Sequence, residues 1–475
     1  MSDGPTPTNR ADNLIRLGSA FDLLVIGGGI VGAGVARDAA MRGLSVALVE
    51  RNDFASGTSS RSSRLLHGGL RYLAQGRLRL VREAGTEKMV LQRIAPHLTR
   101  PMPFLFPTYR GTEWKLWKLR IGVKLYDWLS AGRNFAPSKT LRPEEVVNLL
   151  PGLSRRGLTG AVRYYDAVTN DARLVIDTLR SAARHGASVL NYASFDGAKR
   201  QADVWRCTVT DRLGNTSVEV TARAIVNAAG AWGDRFPQSH VRLRLTKGVH
   251  LVIPRARLPV PECAVMTDGP RILFAIPWGE RTILGTTDTD YAGDPDAVAC
   301  EPADVLYVLG VANRLFPAAR LKPEDVTSTW AGLRPLIADP TGRPSDISRA
   351  HDIHMTEPGW IDVAGGKLTT YRLMAEQTVD LLSELLGART APCTTAAEPL
   401  VPDSEDARFS RVIPPEVSRD AVEHYCRREW AVYPQDVLVR RSGWQHYHDD
   451  AERVADRVRE WMGALDTPGL ATSLK

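Results

Sequence analysis

The sequence lacks the features that mark membrane-spanning, secreted and disulfide-linked proteins. No apolar run approaches the roughly 18 to 20 residues that a helix needs to cross a bilayer. Residues 1–20 are polar and contain prolines, so they do not resemble a secretory signal, and we expect a flexible N-terminal extension. The 5 cysteines lie far apart without a CxxC pair. This argues against a disulfide framework or a zinc ribbon and favours a reducing compartment, and no metal site is predicted.

The composition excludes little beyond wholesale disorder. Of the 475 residues, 43% are hydrophobic and 24% are charged, which is close to ordinary globular usage. The net charge of +7 is compatible with an anionic substrate, an anionic membrane surface or nucleic acid, and by itself it selects none of them. The motifs therefore carry the functional argument.

A strand–helix–strand pattern over residues 21–50 carries the first functional motif. Gly27, Gly29 and Gly32 form a GxGxxG motif between the first strand and the helix, where tight turns bring a helix N-terminus to a pyrophosphate. Glu50 ends the second strand, and its carboxylate is placed to accept hydrogen bonds from ribose hydroxyls. The pattern predicts a bound dinucleotide.

Two later stretches favour FAD over NAD as this dinucleotide. Residues 224–230 and 360–366 are apolar strands that end in glycine, at Gly230 and at Gly365 and Gly366. An FAD-binding sheet is often built from such separated segments, with a substrate domain inserted between them. The helix that follows would direct its N-terminal amides at the flavin, because a partial positive charge suits the reduced, anionic form. We therefore predict noncovalently bound FAD.

The stretch 55–72 is too rich in hydroxyl groups and glycine to belong to a core. It directly follows the ribose-binding strand, where Thr58, Ser59 and Ser60 are placed to donate to phosphates and Arg71 to bind a substrate anion. The alternative interpretation is an ordinary solvated loop.

Several stretches spread over residues 21–380 resemble one known family. They include GGGIVGAGVARDAAMRGLSVALVE (27–50), SGTSSRSSRLLHGGLRYL (56–73), KGVHLVIPR (247–255) and AGGKLTTYR (364–372). In these stretches the chain is similar to the FAD-dependent glycerol-3-phosphate dehydrogenases, within the D-amino-acid-oxidase-like flavoproteins. The glycine motif marks only the wider flavin superfamily, whereas SGTSS…HGGLRYL and GGKLTTYR are far more specific.

The resemblance implies oxidation of sn-glycerol 3-phosphate to dihydroxyacetone phosphate by FAD, with a membrane quinone as the electron acceptor. The chain lacks the long insertion typical of the oxygen-using glycerophosphate oxidases, which favours a dehydrogenase. We expect a cytoplasmic enzyme that binds peripherally to anionic lipid at the inner face of the cell membrane. A homodimer is compatible with the resemblance, and no nucleic-acid partner is expected.

Positions that match the family's motifs give the expected site residues. Arg71, Tyr72 and Lys367 are expected to surround the substrate. His250 and Arg334 are expected at the reacting carbinol, with His250 as the base, because histidine titrates near neutral pH. The residues expected to contact the cofactor are Gly27, Gly29, Gly32, Glu50, Thr58, Ser59, Ser60, Arg64, His67, Gly230, Gly365, Gly366, Leu368 and Thr369.

The chain departs from the family pattern at Val31, where asparagine is usual, and at Arg64, where lysine is usual. Valine at the first of these positions is common in other members of the superfamily. An FAD-dependent amine or amino-acid oxidase is therefore the first alternative, and a flavin-binding relative without catalysis is the second. Retention of the expected cations and of the histidine argues against the second alternative.

The sequence predicts an α/β fold. It comprises a Rossmann-like FAD-binding domain of the D-amino-acid-oxidase/glutathione-reductase type, an inserted antiparallel β-sheet substrate domain and a small helical C-terminal domain. The expected boundaries are 21–75, 155–235 and 350–388 for the discontinuous FAD-binding domain, 76–154 and 236–349 for the substrate-binding domain, 389–415 for a proline-rich linker and 416–475 for the C-terminal domain.

Residues 113–129 predict a helix with two apolar faces on nearly opposite sides, one containing Trp117 and the other Val123. Two apolar faces favour a helix packed within the protein over one lying on a membrane surface. The arginine pairs at 427–428 and 440–441 are alternative contacts for anionic lipid, or they belong to a solvated face.

Overall fold

The computed structural model describes residues 10–69, 76–129, 134–338, 351–387, 390–402 and 407–465. The α-helices in these ranges are α1 (Arg10–Leu17), α2 (Ile30–Met41), α3 (Leu78–Ile94), α4 (Leu116–Leu129), α5 (Pro143–Leu149), α6 (Asp171–Arg184), α7 (Pro302–Leu315), α8 (Tyr371–Leu386), α9 (Arg419–Arg428), α10 (Trp444–Tyr447) and α11 (Ala451–Gly463). The strands are β1 (Ala20–Ile26), β2 (Val46–Val49), β3 (Leu65–Leu66), β4 (Arg100–Tyr109), β5 (Lys139–Leu141), β6 (Leu158–Val168), β7 (Ser188–Leu190), β8 (Ala193–Gln201), β9 (Val204–Asp211), β10 (Thr216–Asn227), β11 (Leu243–Pro254), β12 (Cys263–Asp268), β13 (Arg271–Trp278), β14 (Arg281–Gly285), β15 (Thr289–Asp290), β16 (Ser328–Ile337), β17 (His351–Glu357) and β18 (Trp360–Gly365).

The first sheet has a parallel centre in the order β18-β10-β1-β2-β7, with β17 as an antiparallel edge. β9 extends β10 on the antiparallel side, and β8 pairs with β9. α2 connects β1 to β2 and packs against α6 and α8. Leu23, Leu24 and Val25 of β1 are fully buried, as expected for a strand covered on both faces. The predicted α/β fold class is confirmed.

The second sheet is mostly antiparallel and has the order β15-β11-β14-β13-β12-β4-β6-β3. β16 pairs along β11, which places Trp330 opposite His250 and Gly332 opposite Gly248. This pairing matters for the site, because it joins two segments that are distant in sequence and that both carry expected site residues.

The sequence predicts that β6, as part of residues 155–235, belongs to the FAD-binding domain, but its sheet differs from this expectation. In the structure β6 pairs along β4 in the second sheet, where Phe104 stacks on Tyr164 with ring centres 5.4 Å apart. The pairing is decided by contacts between distant segments, which the local pattern of β6 does not encode.

β4 itself forms where the prolines predict only an extended connection. Pro101, Pro103 and Pro107 lie at alternate positions of the strand, so their missing N–H groups all lie on one side. β6 pairs along the whole of β4 on one side, whereas β12 pairs on the other side only at Phe104 and Leu105.

Two segments expected to be loose are packed against the first domain. Within residues 1–20, α1 buries Leu17, and Arg10 donates to Asp211 at 2.5 Å. In the proline-rich linker, Leu400 is fully buried, and the carbonyl of Thr395 accepts from Arg37 at 3.1 Å. Burial of Leu17 and Leu400 holds the described parts of the two segments against the first domain.

α4 packs with one apolar face only, which corrects the expectation of a helix packed within the protein on both faces. Leu119 and Val123 are buried. On the other face Trp117, Ile121 and Trp128 are 62%, 60% and 74% exposed. Among the helices of the described residues, none has the length and apolar character needed to span a membrane.

Candidate active site

Two adjoining cavities lie where the carboxyl ends of the first sheet's parallel strands meet the second sheet. The larger has a volume of about 1220 Å³ and the smaller a volume of about 330 Å³. They share walls formed by Thr58, Ser59 and residues 365–368. Ligands in open α/β folds bind at this edge of the sheet, so both cavities are candidates for the functional site.

The glycine motif forms one wall of the smaller cavity. A Cβ atom added at Gly32 would lie 2.0 Å from the carbonyl oxygen of Gly27, so only glycine allows α2 to start this close to β1. The Glu50 carboxylate accepts from the N–H groups of Gly28 at 2.8 Å and Asn52 at 2.9 Å. These bonds hold the carboxylate beside the cavity, which fits a dinucleotide's ribose.

The hydroxyl-rich stretch supplies further wall residues. Ser59 Oγ accepts from the N–H of Ile30 at 3.0 Å, and the Thr58 hydroxyl donates to the Leu333 carbonyl at 2.5 Å. Ser60 is buried and lines neither cavity. Its position therefore does not support the expected contact with a phosphate.

Gly230 and the end of β18 close the other side of the smaller cavity, which we call the cofactor cavity. Gly365 and Gly366 have φ values of +71° and +79°, and a Cβ atom at Gly366 would lie 2.3 Å from Met374 Sδ. Leu368 lines both cavities. The residues 368–370 then form a 3₁₀ turn that leads into α8.

The 3₁₀ turn is tied to the HGG segment. Thr369 Oγ1 accepts from the N–H of His67 at 3.1 Å, and both residues line the larger cavity. Tyr126 of α4 accepts from the N–H of Gly68 at 3.0 Å and donates to Asp166. A Cβ atom at Gly68 would lie 2.2 Å from the Tyr126 hydroxyl, so this approach needs glycine.

His250 is buried in the wall of the larger cavity. Its Nε2 atom lies 2.8 Å from Ser63 Oγ, and its ring stacks on Trp330 with centres 5.3 Å apart. Burial, together with the positive charges of Arg334 and Arg64, lowers the pKa of His250 to about 3. The expectation that this histidine titrates near neutral pH in the free protein is therefore corrected, because the imidazole is neutral well below that range.

Arg334 and Lys367 line the larger cavity with His250. The Arg334 guanidinium donates to Asp288 at 3.0 Å and to Thr286 Oγ1 at 3.1 Å, which fixes its plane. A Cβ atom at residue 248 would lie 2.6 Å from Arg334 Nη2, so glycine in the KGVH segment makes room for this arginine.

The structure places Arg64 away from both cavities, in contrast to its expected contact with the cofactor. Its guanidinium carbon lies 4.4 Å from the ring centre of Trp278 and 5.0 Å from that of Trp330. Its Nε atom is 3.7 Å from Asp171. The two aromatic rings and the carboxylate offset part of the cost of burying this charge, and the charge acts on His250 only through space.

Two of the expected substrate residues, Arg71 and Tyr72, lie outside the described residues, and their roles stay predictions. Sequence reasoning also missed Ser63 and Trp330, which contact His250 directly. Ser63 stands within the SGTSS…HGGLRYL motif, so that motif was the available signal. Nothing local marks Trp330, because only the β11–β16 pairing brings it to His250.

Comparisons with known proteins identify the family of this chain. The family described as FAD dependent oxidoreductase matches residues 22–381. Glycerol-3-phosphate dehydrogenase 2 of Mycobacterium tuberculosis is 41% identical over 397 residues, which cover 82% of this chain and 68% of that protein. The aerobic glycerol-3-phosphate dehydrogenase of Staphylococcus aureus is 40% identical over 390 residues, covering 79% and 70%. The chain belongs to the FAD-dependent glycerol-3-phosphate dehydrogenase family.

Solved structures agree with this family. The glycerol-3-phosphate dehydrogenase of Bacillus halodurans, complexed with FAD, matches with a TM-score of 0.77 at 30% identity and covers 96% of this chain and 93% of its own. The glycine oxidase of Geobacillus kaustophilus matches at 20% identity with a TM-score of 0.60, covering 81% and 99%, which is a likeness of fold alone. FAD is the cofactor of this family member, and the predicted cofactor and fold are confirmed.

Proposed function

We propose that this flavoenzyme oxidises sn-glycerol 3-phosphate to dihydroxyacetone phosphate. The observation that carries the proposal is the placement of His250, Arg334 and Lys367 around one cavity that adjoins the glycine motif. The names of the relatives, which are 38–41% identical to this chain, support the same substrate.

Each of these residues has a distinct part in the proposed reaction. Bound FAD supplies the acceptor for a hydride from C2 of the substrate. His250 accepts the proton of the 2-hydroxyl group, while Arg334 orients that oxygen. Lys367, together with Arg71, binds the phosphate, because a phosphate monoester is mostly dianionic at neutral pH and requires fixed cations. Loss of the hydride and the proton leaves the carbonyl of dihydroxyacetone phosphate.

The substrate class is tested by mixing the purified enzyme with candidate substrates in the absence of oxygen. We expect sn-glycerol 3-phosphate to bleach the visible absorbance of the flavin, whereas glycine, sarcosine and D-alanine leave it unchanged. The amino acids carry a carboxylate and an amine, so they match neither the phosphate cations nor the hydroxyl. Bleaching by an amino acid alone would contradict the proposal and favour the oxidase alternative.

The electrons pass from the flavin to a membrane quinone in this proposal. Apolar side chains line part of the larger cavity, and they suit a hydrophobic ring. They are Phe104, Phe106, Leu119, Leu125, Ile272 and Phe274.

A short-chain quinone analogue is expected to raise steady-state turnover well above the rate in air alone. Substrate-dependent formation of hydrogen peroxide should be a minor fraction of that turnover. Both quantities are measured in one assay by following quinone reduction and peroxide in parallel. Peroxide formed in proportion to substrate, without a gain from the quinone, would contradict quinone linkage.

The exposed face of α4 is the proposed membrane-binding surface of the enzyme. Trp117, Ile121 and Trp128 protrude from it, and Trp is typical of the membrane interface. Basic residues within this helix and directly before it flank these side chains and suit anionic headgroups. They are Lys115, Lys118, Arg120 and Lys124.

Replacing Trp117, Ile121 and Trp128 together by serine is expected to weaken binding to anionic phospholipid vesicles by roughly 100-fold, because three apolar side chains no longer insert. Vesicle co-sedimentation measures this effect. Leu306→Ser on α7 is the matched control, since Leu306 is also 61% exposed but lies elsewhere. Equal binding of the triple variant and the control would place the membrane contact on another surface.

A further inference from the structure

The helical C-terminal domain reaches into the FAD-binding domain at the segment that follows Glu50. In this segment Asp53 is 1% exposed and accepts two hydrogen bonds from the Arg441 guanidinium, at 2.6 Å and 2.8 Å. Arg440 donates to the same carboxylate through Nε, and Asn191 donates to it at 3.0 Å. A forked arginine–carboxylate pair fixes both partners in orientation as well as in distance.

The same segment presses on the glycine motif. The Phe54 ring packs edge-to-face on Trp430 of the C-terminal domain, with ring centres 5.5 Å apart. On its other side, Phe54 Cδ1 lies 2.6 Å from where a Cβ atom at Gly28 would be, and the N–H of Ala55 donates to the Gly28 carbonyl at 3.0 Å. Residues 56–59, which follow directly, line the smaller cavity. Contacts thus run without a break from the C-terminal domain to the cofactor wall.

Asp53 and its arginine partners keep their charges over the pH range in which the enzyme is assayed. Burial alone would raise the pKa of Asp53, but Arg441 and Arg440 outweigh it and lower that pKa to about 2. Asp53 is therefore ionised at any pH at which the enzyme is assayed. No proton has to leave for the pair to form.

We propose that Arg441 is a positioning residue for FAD: by holding Asp53, the C-terminal domain fixes residues 52–56 against Gly28 and so sets the affinity of the cofactor cavity. The inference rests on FAD binding and is independent of the substrate. The domain is then a structural part of the cofactor site, although it contributes no residue to the lining of the smaller cavity among the described residues.

The test compares Arg441→Met with Arg281→Met in the full-length holoenzyme. Arg281 also docks the C-terminal domain, through the Tyr447 carbonyl at 2.6 Å and Asp449 at 2.7 Å, but it lies in the second sheet away from Asp53. FAD release on dilution is followed by the recovery of flavin fluorescence, and the unfolding temperature is measured in parallel.

We expect Arg441→Met to raise the FAD dissociation constant roughly 10- to 100-fold, because the buried Asp53 loses its forked partner. Arg281→Met should leave that constant unchanged even where it lowers the unfolding temperature as much. With FAD saturating, kcat and the substrate KM of Arg441→Met should return to the wild-type values. An FAD affinity that is unchanged in Arg441→Met, or lowered equally in both variants, overturns the proposal.

Trp430→Leu tests the same link without altering a charge. It removes the ring that supports Phe54 and keeps an apolar side chain against the core of the FAD-binding domain. A several-fold loss of FAD affinity supports the proposal, and wild-type affinity overturns it, so the test stands even if Arg441→Met fails to fold.

Discussion

His250→Gln is expected to slow reduction of the flavin by substrate roughly 100- to 10,000-fold, the range typical of losing a general base. Glutamine preserves much of the shape of the side chain and can still hydrogen-bond to Ser63, which lies 2.8 Å from His250 Nε2. It cannot accept the proton of the 2-hydroxyl group. Substrate affinity should change much less, because the phosphate-binding cations stay in place. Rapid mixing of enzyme and substrate without oxygen isolates this step from reoxidation.

His446→Gln is the matched control for this substitution. His446 lies against Trp330, the same ring on which His250 stacks, with ring centres 5.1 Å apart. It is also buried, and burial lowers its pKa to about 3. It does not line either cavity among the described residues. A near wild-type rate in His250→Gln, or an equal loss in the control, would show that His250 has a structural role.

The pH dependence follows from the lowered pKa of His250, about 3 against an ordinary value of 6.5. Since the folded pKa is depressed, the neutral, proton-accepting form persists as the pH falls below 6.5, whereas an exposed histidine would be protonated there. The ratio of the wild-type rate to the His250→Gln rate should therefore stay constant from about pH 6 to 8. Using the ratio cancels the titration of the substrate phosphate. A several-fold fall of the ratio towards pH 6 would mean that His250 titrates in its ordinary range.

Lys367→Met is expected to lower kcat/KM for sn-glycerol 3-phosphate roughly 30- to 5,000-fold. This corresponds to a loss of about 2 to 5 kcal/mol of transition-state binding free energy. The loss should appear mainly in KM, because the phosphate is bound in both the ground state and the transition state. Lys367 lines both cavities, so the flavin content must be measured with the kinetics. We expect FAD to be retained, since the glycine motif and Glu50 are untouched.

Lys118→Met controls for the general effect of removing a positive charge from this cavity. Lys118 lines the larger cavity from α4, whereas Lys367 directly precedes the 3₁₀ turn. Its replacement should leave kcat/KM in solution within about twofold of wild type. Salt screens the interaction between two charges across water, with a screening length of roughly 10 Å. Equal losses in both variants would mean that the cavity's overall potential, and not a contact with Lys367, binds the phosphate.

Elements with local sequence signals could be predicted before the fold was known. The apolar run at 21–26, the glycine motif and Glu50 predicted the strand–helix–strand unit and its dinucleotide, and the structure and the comparisons confirm both. The glycine-ended strands at 224–230 and 360–366 belong to the same sheet as β1, where β10 pairs with β1 and β18 pairs with β10, as expected for separated FAD segments. These signals survive without tertiary context, because periodicity, turn residues and capping act within one or two turns of chain.

Strand pairing, burial and pKa shifts depend on residues that are distant in sequence, so they could be seen only in the folded protein. The proline-rich segment of β4 forms a strand because β6 pairs along its whole length, and α4 keeps an exposed apolar face because the protein covers only one of its two apolar faces. Arg64 is drawn to Trp278 and Trp330, and the pKa of His250 follows from its burial beside Arg334. Burial and electrostatic fields are sums over neighbours from many segments. No local stretch of sequence contains them, and the fold must form before they exist.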